Sequence, residues 1–188
     1  MARALSNVVG FDDAPCPPGH RGDVPLVGAV FSRTRLDGVL VGRVRHDGRN
    51  STDAIVRMLQ SSQFARHVQL VVLQGIAFAG FNVVDVHALH AELGLPVLVV
   101  ARRAPDLGAM HRALLGRVRG GARKWRLVEQ AGPMEKLGRV YAQRIGLDHD
   151  RARRFLVEST LHGALPEPIR AAHLIAGAVA TGRSRGRA

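Results

Sequence analysis

The chain has 188 residues, 46% of them hydrophobic, and carries 27 Lys and Arg against 15 Asp and Glu, a formal net charge of +12. This length suits a single domain, residues 1–188, with its own core, and no apolar run approaches the ~20 residues that cross a bilayer. The first residues lack a hydrophobic leader, which predicts a cytoplasmic protein, and a single cysteine, Cys16, excludes an internal disulfide.

Apolar periodicity and turn residues predict three strands followed by alternating helices and strands. In chain order these are strands at 6–11, 25–32 and 38–46, a helix from 50, a strand at 68–73, a helix at 82–93, a strand at 96–101 and a helix from 105. Short strands at 123–129 and 139–145 and helices at 148–161 and 166–181 follow. Three adjacent antiparallel strands before helices and parallel strands indicate an α/β fold, a ribonuclease-H-like mixed sheet flanked by helices.

Acidic residues follow the first predicted strand directly. Asp12 and Asp13 end an apolar run, and strand alternation points one carboxylate to each face. Two adjacent carboxylates beside a buried strand are costly unless they are solvated or bound to a cation. They therefore indicate a metal site, with a simple boundary between strand and loop as the alternative.

Three further aspartates have both a structural and a functional interpretation. Asp47 forms an Asp-Gly turn signal after the third strand. Asp53 and Asp85 each lie three residues after an asparagine, a spacing typical of capped helix starts. The functional alternative is that these helix starts aim their carboxylates at the pocket that contains Asp12.

The positive charge is carried almost wholly by arginine, whose planar donors suit phosphate oxygens. It predicts a nucleic-acid partner, DNA or RNA, although codon bias would also spread arginine along the whole chain. Arg123, Lys124, Trp125 and Arg126 combine cations with one aromatic ring. They are candidates to follow a nucleic-acid backbone while Trp125 stacks on a base, and a solvated face is the alternative.

Four blocks of the sequence resemble the endonuclease dU family, also known as domain of unknown function 99 and related to endonuclease V. These are GFDD at 10–13, HDGRNSTD at 46–53, GIAFAGFNVVD at 75–85 and PEPIRAAHLI at 166–175. The resemblance implies a ribonuclease-H-like fold. For some members it also implies Mg²⁺-dependent cleavage of DNA that contains deaminated bases, notably deoxyuridine.

Carried over by position, Asp12 is the metal ligand of the first strand, and Asp47, Asp53 and Asp85 are the other acidic positions in family-like blocks. We assign the metal, Mg²⁺ or Mn²⁺, to Asp12, Asp13, Asp47 and Gln74, and the catalytic role to Asp12, Asp47, Asp53 and Asp85. An extruded base would enter a loop at 15–21 or 77–81.

Gln74 departs from the related endonuclease V pattern, which has an aspartate at the end of this strand. An amide offers a carbonyl oxygen without charge, so we expect weaker binding of a divalent cation. The first hypothesis is a metal-dependent endonuclease acting on DNA with deaminated bases. The second is an inert nucleic-acid-binding protein of the same fold, and the third is a small-molecule enzyme or an interaction scaffold.

Overall fold

The computed structural model describes residues 4–17 and 19–184. One seven-stranded mixed sheet and a two-stranded hairpin, β5–β6, are surrounded by helices. In chain order the elements are β1 Asn7–Asp13, β2 Asp23–Ser32, β3 Arg35–Arg45, α1 Ser51–Gln60, β4 Leu70–Gln74, β5 Ala77–Phe78, β6 Asn82–Val83, α2 Val86–Leu93, β7 Val97–Ala101, α3 Leu107–Arg117, α4 Gly121–Gln130, β8 Glu135–Leu137, β9 Val140–Ile145, α5 His149–Ser159 and α6 Glu167–Thr181.

The strand order in the large sheet is β3-β2-β1-β4-β7-β9-β8. Strands β1 to β3 are antiparallel neighbours, β4 is parallel to β1 and β7 is parallel to β4, as predicted. The central strands β4 and β7 consist almost entirely of Val and Leu, since both of their faces are covered. The carboxyl ends of β1, β4 and β7 therefore lie at one edge of the sheet.

Helix α6 is held against β1 by a glycine. A Cβ atom at Gly10 would lie 2.4 Å from the carbonyl carbon of Pro168, so only glycine permits this approach. Helix α1 covers the opposite face, where a Cβ at Gly42 would meet the Met58 side chain. This layering places α6 over one side of the strand ends, and α1 lies on the other side of the sheet.

Two predicted elements differ from the structure. Residues 123–129, predicted as a strand, lie in helix α4. Its buried positions are spaced as in a helix and are Gly121, Lys124 and Val128. Because one of them is a lysine, the sequence lacks the apolar periodicity that would predict a helix. The predicted helix 82–93 begins only at Val86, because Asn82–Val83 pair with Ala77–Phe78 as β6 and β5.

No helix within the described ranges is both long and apolar enough to span a membrane.

Candidate active site

The candidate site lies at the carboxyl ends of β1 and β4. Phe11 pairs in register with Leu73, so Asp12 and Gln74, the next residues, lie side by side and face the same way. Asp12 points to the face covered by α6, where it meets His173. Ligand sites of open α/β sheets commonly lie at such strand ends.

Asp12 and His173 form a buried pair. The carboxylate Oδ2 lies 2.8 Å from Nδ1 of His173, and Asp12 is only 5% exposed. Burial raises the pKa of Asp12, and His173 partly opposes that shift. The hydrogen bond to Asp12 raises the pKa of His173, against burial and the charge of Arg102, which lower it. Each shift favours the protonated form of its group.

The imidazole also borders open space. Together with residues from the loop after β1 and from α6 it lines a depression of about 500 Å³, formed by Pro15, His173, Gly177, Thr181 and Arg183. Arg102, directly after β7, is exposed and close enough for its charge to act on His173. Arg183 borders the same depression as His173, and the charge of Arg102 acts on the imidazole, so this side of the sheet carries cations suited to a phosphate group.

Asp13 points to the opposite face of the sheet, as strand alternation predicts. Its Oδ2 accepts a hydrogen bond from the Ala79 amide at 2.9 Å. Burial, followed by the charge of Asp12, raises the pKa of Asp13 from 3.8 to about 6. Neither of the adjacent carboxylates has enough positive charge near it to offset its burial.

Gln74 has a buried oxygen without a partner. Its Oε1 is inaccessible to solvent and accepts no hydrogen bond from the residues that the structure describes. Most buried polar atoms are satisfied, so such an atom indicates a missing donor or cation. Gln74 follows Leu73, the partner of Phe11, so the register of β1 and β4 places its backbone next to that of Asp12, whose pKa is raised.

The oxygen donors at this edge fit a hard divalent cation. Mg²⁺ takes oxygen ligands, keeps several waters and needs only one or two carboxylates besides substrate phosphates. Asp12 and Gln74 supply such oxygens, and the orphaned Oε1 of Gln74 is the observation that favours a cation here. Within 4–17 and 19–184, however, His, Cys, Asp and Glu form no group of three or more suited to a metal. The structure thus does not bring Asp47, Asp53 and Asp85 together with Asp12 in such a group.

Asp47 shapes the loop between β4 and β6. It adopts a left-handed backbone conformation, with φ 50°, and its Oδ1 accepts from the Phe81 amide at 2.8 Å. Its own amide donates to the Ala79 carbonyl, and its own carbonyl accepts from Nζ of Lys124. The turn interpretation of Asp47 therefore describes its contacts well.

Asp53 and Asp85 lie at helix starts. Asp53 is exposed in the first turn of α1. Asp85 is the N-cap of α2, and its carboxylate accepts from the Ala88 amide at 2.9 Å. Asp53 lies three residues after the N-cap Asn50, as its spacing predicts, although the Asn50 side chain makes no capping hydrogen bond. Asp85 is itself the N-cap, rather than the third residue after an N-cap at Asn82, because Asn82 lies in β6.

The basic segment of α4 divides into an exposed and a buried part. Arg123 and Arg126 are exposed, and Trp125 is half-buried with its ring edge-on to His111, centroids 4.6 Å apart. Lys124 is 6% exposed and donates to the Asp47 carbonyl at 2.5 Å. The buried lysine therefore stabilises the Asp47 turn through this hydrogen bond. Arg123 and Arg126 are the solvent-accessible cations of this group.

Sequence reasoning missed His173 and Arg102. His173 lies in the family-like block 166–175, but it is 161 residues from Asp12 and no local spacing joins them. Of the two loops predicted to receive a base, 15–21 contains Pro18, which lies outside the described residues. The other, 77–81, is the β5–β6 turn that Asp13 and Asp47 hold through hydrogen bonds.

The chain has close relatives. The Endonuclease dU family model matches residues 5–180. A UPF0215 protein of Deinococcus radiodurans is 57% identical over 182 residues, which are 97% of this chain and 93% of that protein. A crystal structure of an Archaeoglobus fulgidus protein of unknown function superposes with a TM-score of 0.85 at 31% identity, covering 92% of this chain and 97% of that one.

More distant structures are endonucleases V. The Bacillus subtilis enzyme superposes with a TM-score of 0.62 at 14% identity, covering 95% of this chain and 82% of that one. Ciona intestinalis endonuclease V, crystallised with a 24mer DNA containing an inosine followed by a ribo-adenosine, gives 0.54 at 15% identity, covering 89% and 82%. Identities this low show a common fold, which is the ribonuclease-H-like fold predicted from the element order. The chain belongs to the Endonuclease dU family.

Proposed function

We propose that the protein is a metal-dependent endonuclease that cleaves DNA containing deaminated bases. Family membership and the endonuclease V fold support a nuclease that acts on nucleic acids. The observation that carries the proposal is the buried Asp12–His173 pair beside the unpaired Oε1 of Gln74. All three side chains lie at or over the strand ends where this fold exposes polar groups.

Asp12 and Gln74 are the residues that would hold Mg²⁺ or Mn²⁺. When bound, such a cation would neutralise charge on the phosphate and lower the pKa of a bound water. Asp12 fixes the orientation of the imidazole through Nδ1. His173 stores a proton beside the depression and can deliver it to a leaving oxygen, since its pKa is raised.

Arginines would hold the nucleic-acid backbone. Arg102 and Arg183 border the site, and Arg123 and Arg126 extend the positive surface along α4. Contacts of this kind carry no sequence information but make binding depend strongly on salt. A large net charge of +12 has the same effect at longer range.

The experiment is cleavage of labelled oligonucleotides that carry one deoxyuridine or deoxyinosine, with Mg²⁺ or Mn²⁺. We expect lesion-dependent nicking by the wild type. Asp12→Ala should lose it by at least about a hundredfold, the scale of a lost proton-transfer or metal-holding group, while binding persists. Asp150→Ala, which removes an exposed aspartate in the first turn of α5, is the matched control. Equal nicking by Asp12→Ala would refute the assignment.

A second function is favoured by Gln74 itself. Its amide lacks the negative charge that the related pattern supplies at this strand end, which supports an inert nucleic-acid-binding protein of the same fold. In that case the wild type would bind DNA or RNA without nicking it, and Gln74→Asp would create metal-dependent activity. Robust nicking by the wild type would exclude this alternative.

A further inference from the structure

Strand β3, Arg35–Arg45, forms one edge of the large sheet and has an unpaired side. Its 11 residues pair with β2, and among the described residues no other strand pairs with it. The N–H and C=O groups on the outer side of an edge strand can pair with another strand, and many proteins protect such edges with short or irregular strands. The pairing of β3 with β2 is one-to-one from Gly38 to Arg45, so this part of the edge is regular. It can therefore pair with a further strand.

One face of β3 carries exposed apolar side chains. Val39 is 40% exposed and Val41 is 57% exposed. The alternate residues face α1, since a Cβ at Gly42 would meet Met58, so the two valines face the side of the sheet that carries α6. Helix α6 packs mainly on β1 and β2, which leaves the valines of β3 exposed. An exposed apolar edge strand is the kind of surface that pairs with another chain.

The same face carries charges of opposite sign on either side of the valines. Asp37 precedes Val39 by two residues, Arg43 follows Val41 by two, and both charged residues are exposed. Asp37 lies where the pairing with β2 shifts by one residue, so the regular part of the edge begins directly after it. The order along the exposed face is thus acidic, apolar, apolar and basic. In an antiparallel pair of two such strands, the acidic end meets the basic end and the apolar centres meet each other.

Only one symmetric register matches all of these groups. Residues directly opposite each other in an antiparallel pair share a face of the sheet. A two-fold axis at Val39 would place Val41 opposite Asp37 of the second copy. An axis at Val41 would place Val39 opposite Arg43. An axis at Leu40 places Val39 opposite Val41. It also places Asp37 opposite Arg43, and the symmetry produces each of these pairs twice.

We propose that the protein forms a symmetric dimer in which β3 pairs in antiparallel fashion with β3 of a second copy, with the two-fold axis at Leu40. The two large sheets then form one continuous sheet. Apolar pairs and opposite charges across the new strand pair stabilise it, whereas like charges directly opposite each other destabilise it.

The dimer does not depend on the proposed function. Strand β3 runs in the same direction as β1, since β2 is antiparallel to both. An antiparallel second copy therefore carries its own β1 in the reverse direction. The two candidate active sites lie at opposite edges of the joined sheet, and neither copy contributes residues to the site of the other.

Sedimentation velocity in EDTA and without nucleic acid, from about 1 to about 200 µM protein, would measure the assembly. A single strand pair is a small interface, so we expect a dissociation constant in the micromolar range. Val41→Asp should weaken dimerisation at least about tenfold, because it places a carboxylate opposite an apolar side chain in the centre of the pair. Val157→Asp changes an exposed valine on α5 and is the matched control, which should dimerise as the wild type does.

Two charge reversals test the register. Asp37→Arg places two arginines opposite each other, and Arg43→Asp places two aspartates opposite each other, so each variant alone should dimerise at least about tenfold more weakly than the wild type. An equimolar mixture of the two variants restores both pairs of opposite charge and should form a heterodimer. Asp37 also binds Arg35 of its own chain at 2.6 Å, and mixing does not restore that contact. Recovery in the mixture would therefore report the contact between the copies.

Circular dichroism would confirm that each variant is folded. Recovery of dimers in the mixture, together with normal dimerisation of Val157→Asp, supports the proposal. A wild type that is monomeric at the highest concentration would overturn it and would leave β3 free for a strand of a different protein. A dimer that Val41→Asp does not weaken would also overturn it, because another surface would then form the interface. Folded charge-reversal variants that stay monomeric when mixed would overturn the register at Leu40.

Discussion

Asp13 should destabilise the metal-free protein at neutral pH. Its carboxylate is largely buried and adjacent in the chain to Asp12, and these two effects raise its pKa from 3.8 to about 6. Between those values the folded protein keeps a proton that the unfolded chain has released. Since the folded state binds more protons there, its stability falls as the pH rises from about 4 to above 6.

The magnitude follows from the shift. A rise from 3.8 to about 6, at about 1.36 kcal/mol per pKa unit, makes the charged carboxylate cost about 3 kcal/mol above pH 7. Asparagine is uncharged but keeps an oxygen that can accept from the Ala79 amide. Asp13→Asn should therefore raise the free energy of unfolding by up to about 3 kcal/mol at about pH 7.5 and by almost nothing at about pH 4.

Urea titrations in EDTA, followed by circular dichroism at both pH values, would measure this difference. Asp150→Asn is the control, because that aspartate is exposed and its change should leave stability within about 0.5 kcal/mol. A gain that is equal at both pH values would point to altered packing. A loss at about pH 7.5 would refute the reasoning, because it would mean that the charge of Asp13 is stabilised in the metal-free protein.

Two further substitutions test the supports of the site by the same titrations. Gly10→Ala should lower the free energy of unfolding by roughly 1–3 kcal/mol or more, because the added Cβ would lie 2.4 Å from the Pro168 backbone. The matched Gly116→Ala, in α3 with nothing within 4 Å, should stabilise by about 0.5–1 kcal/mol; equal effects would contradict this packing. Asp47→Ala should lower the free energy of unfolding by about 1–3 kcal/mol, because the Phe81 amide would lose its acceptor and position 47 has a left-handed backbone. Asp47→Asn, which keeps an acceptor oxygen, should lower it much less. Similar losses in the two variants would show that the hydrogen bond contributes little.

The sheet could be predicted because its strands carry strong local signals. The continuous apolar runs of β4 and β7 indicate strands buried on both faces, and the first three strands are separated by turn residues. Helix α4 could not be predicted this way. Its buried face includes Lys124, whose ammonium is satisfied by the Asp47 carbonyl 77 residues away. A charged residue on the inner face removes the apolar period on which a sequence-based prediction depends.

The candidate site was predictable only in part, for a related reason. Asp12 and Gln74 could be identified because each ends a buried strand, and parallel strands bring their ends together. His173 could not be paired with Asp12, since that contact depends on how closely α6 approaches Gly10. The spacing of Asp85 from Asn82 predicted a helix that begins at Asn82, but Asn82 lies in β6 and Asp85 is itself the N-cap of α2, where its carboxylate accepts from the Ala88 amide.

The charge of the site explains why an amide at position 74 is compatible with the proposed chemistry. Asp12 and His173 together carry no net charge while they share one proton, whichever of them holds it. With Gln74 also neutral, the α6 face of the strand ends offers oxygen ligands but little negative charge. A bound phosphodiester would supply the missing negative charge, and Arg102 and Arg183 on this side of the sheet could neutralise part of it. Mg²⁺ commonly binds through few carboxylates plus substrate phosphates, so this site is better suited to bind cation and nucleic acid together than a cation alone.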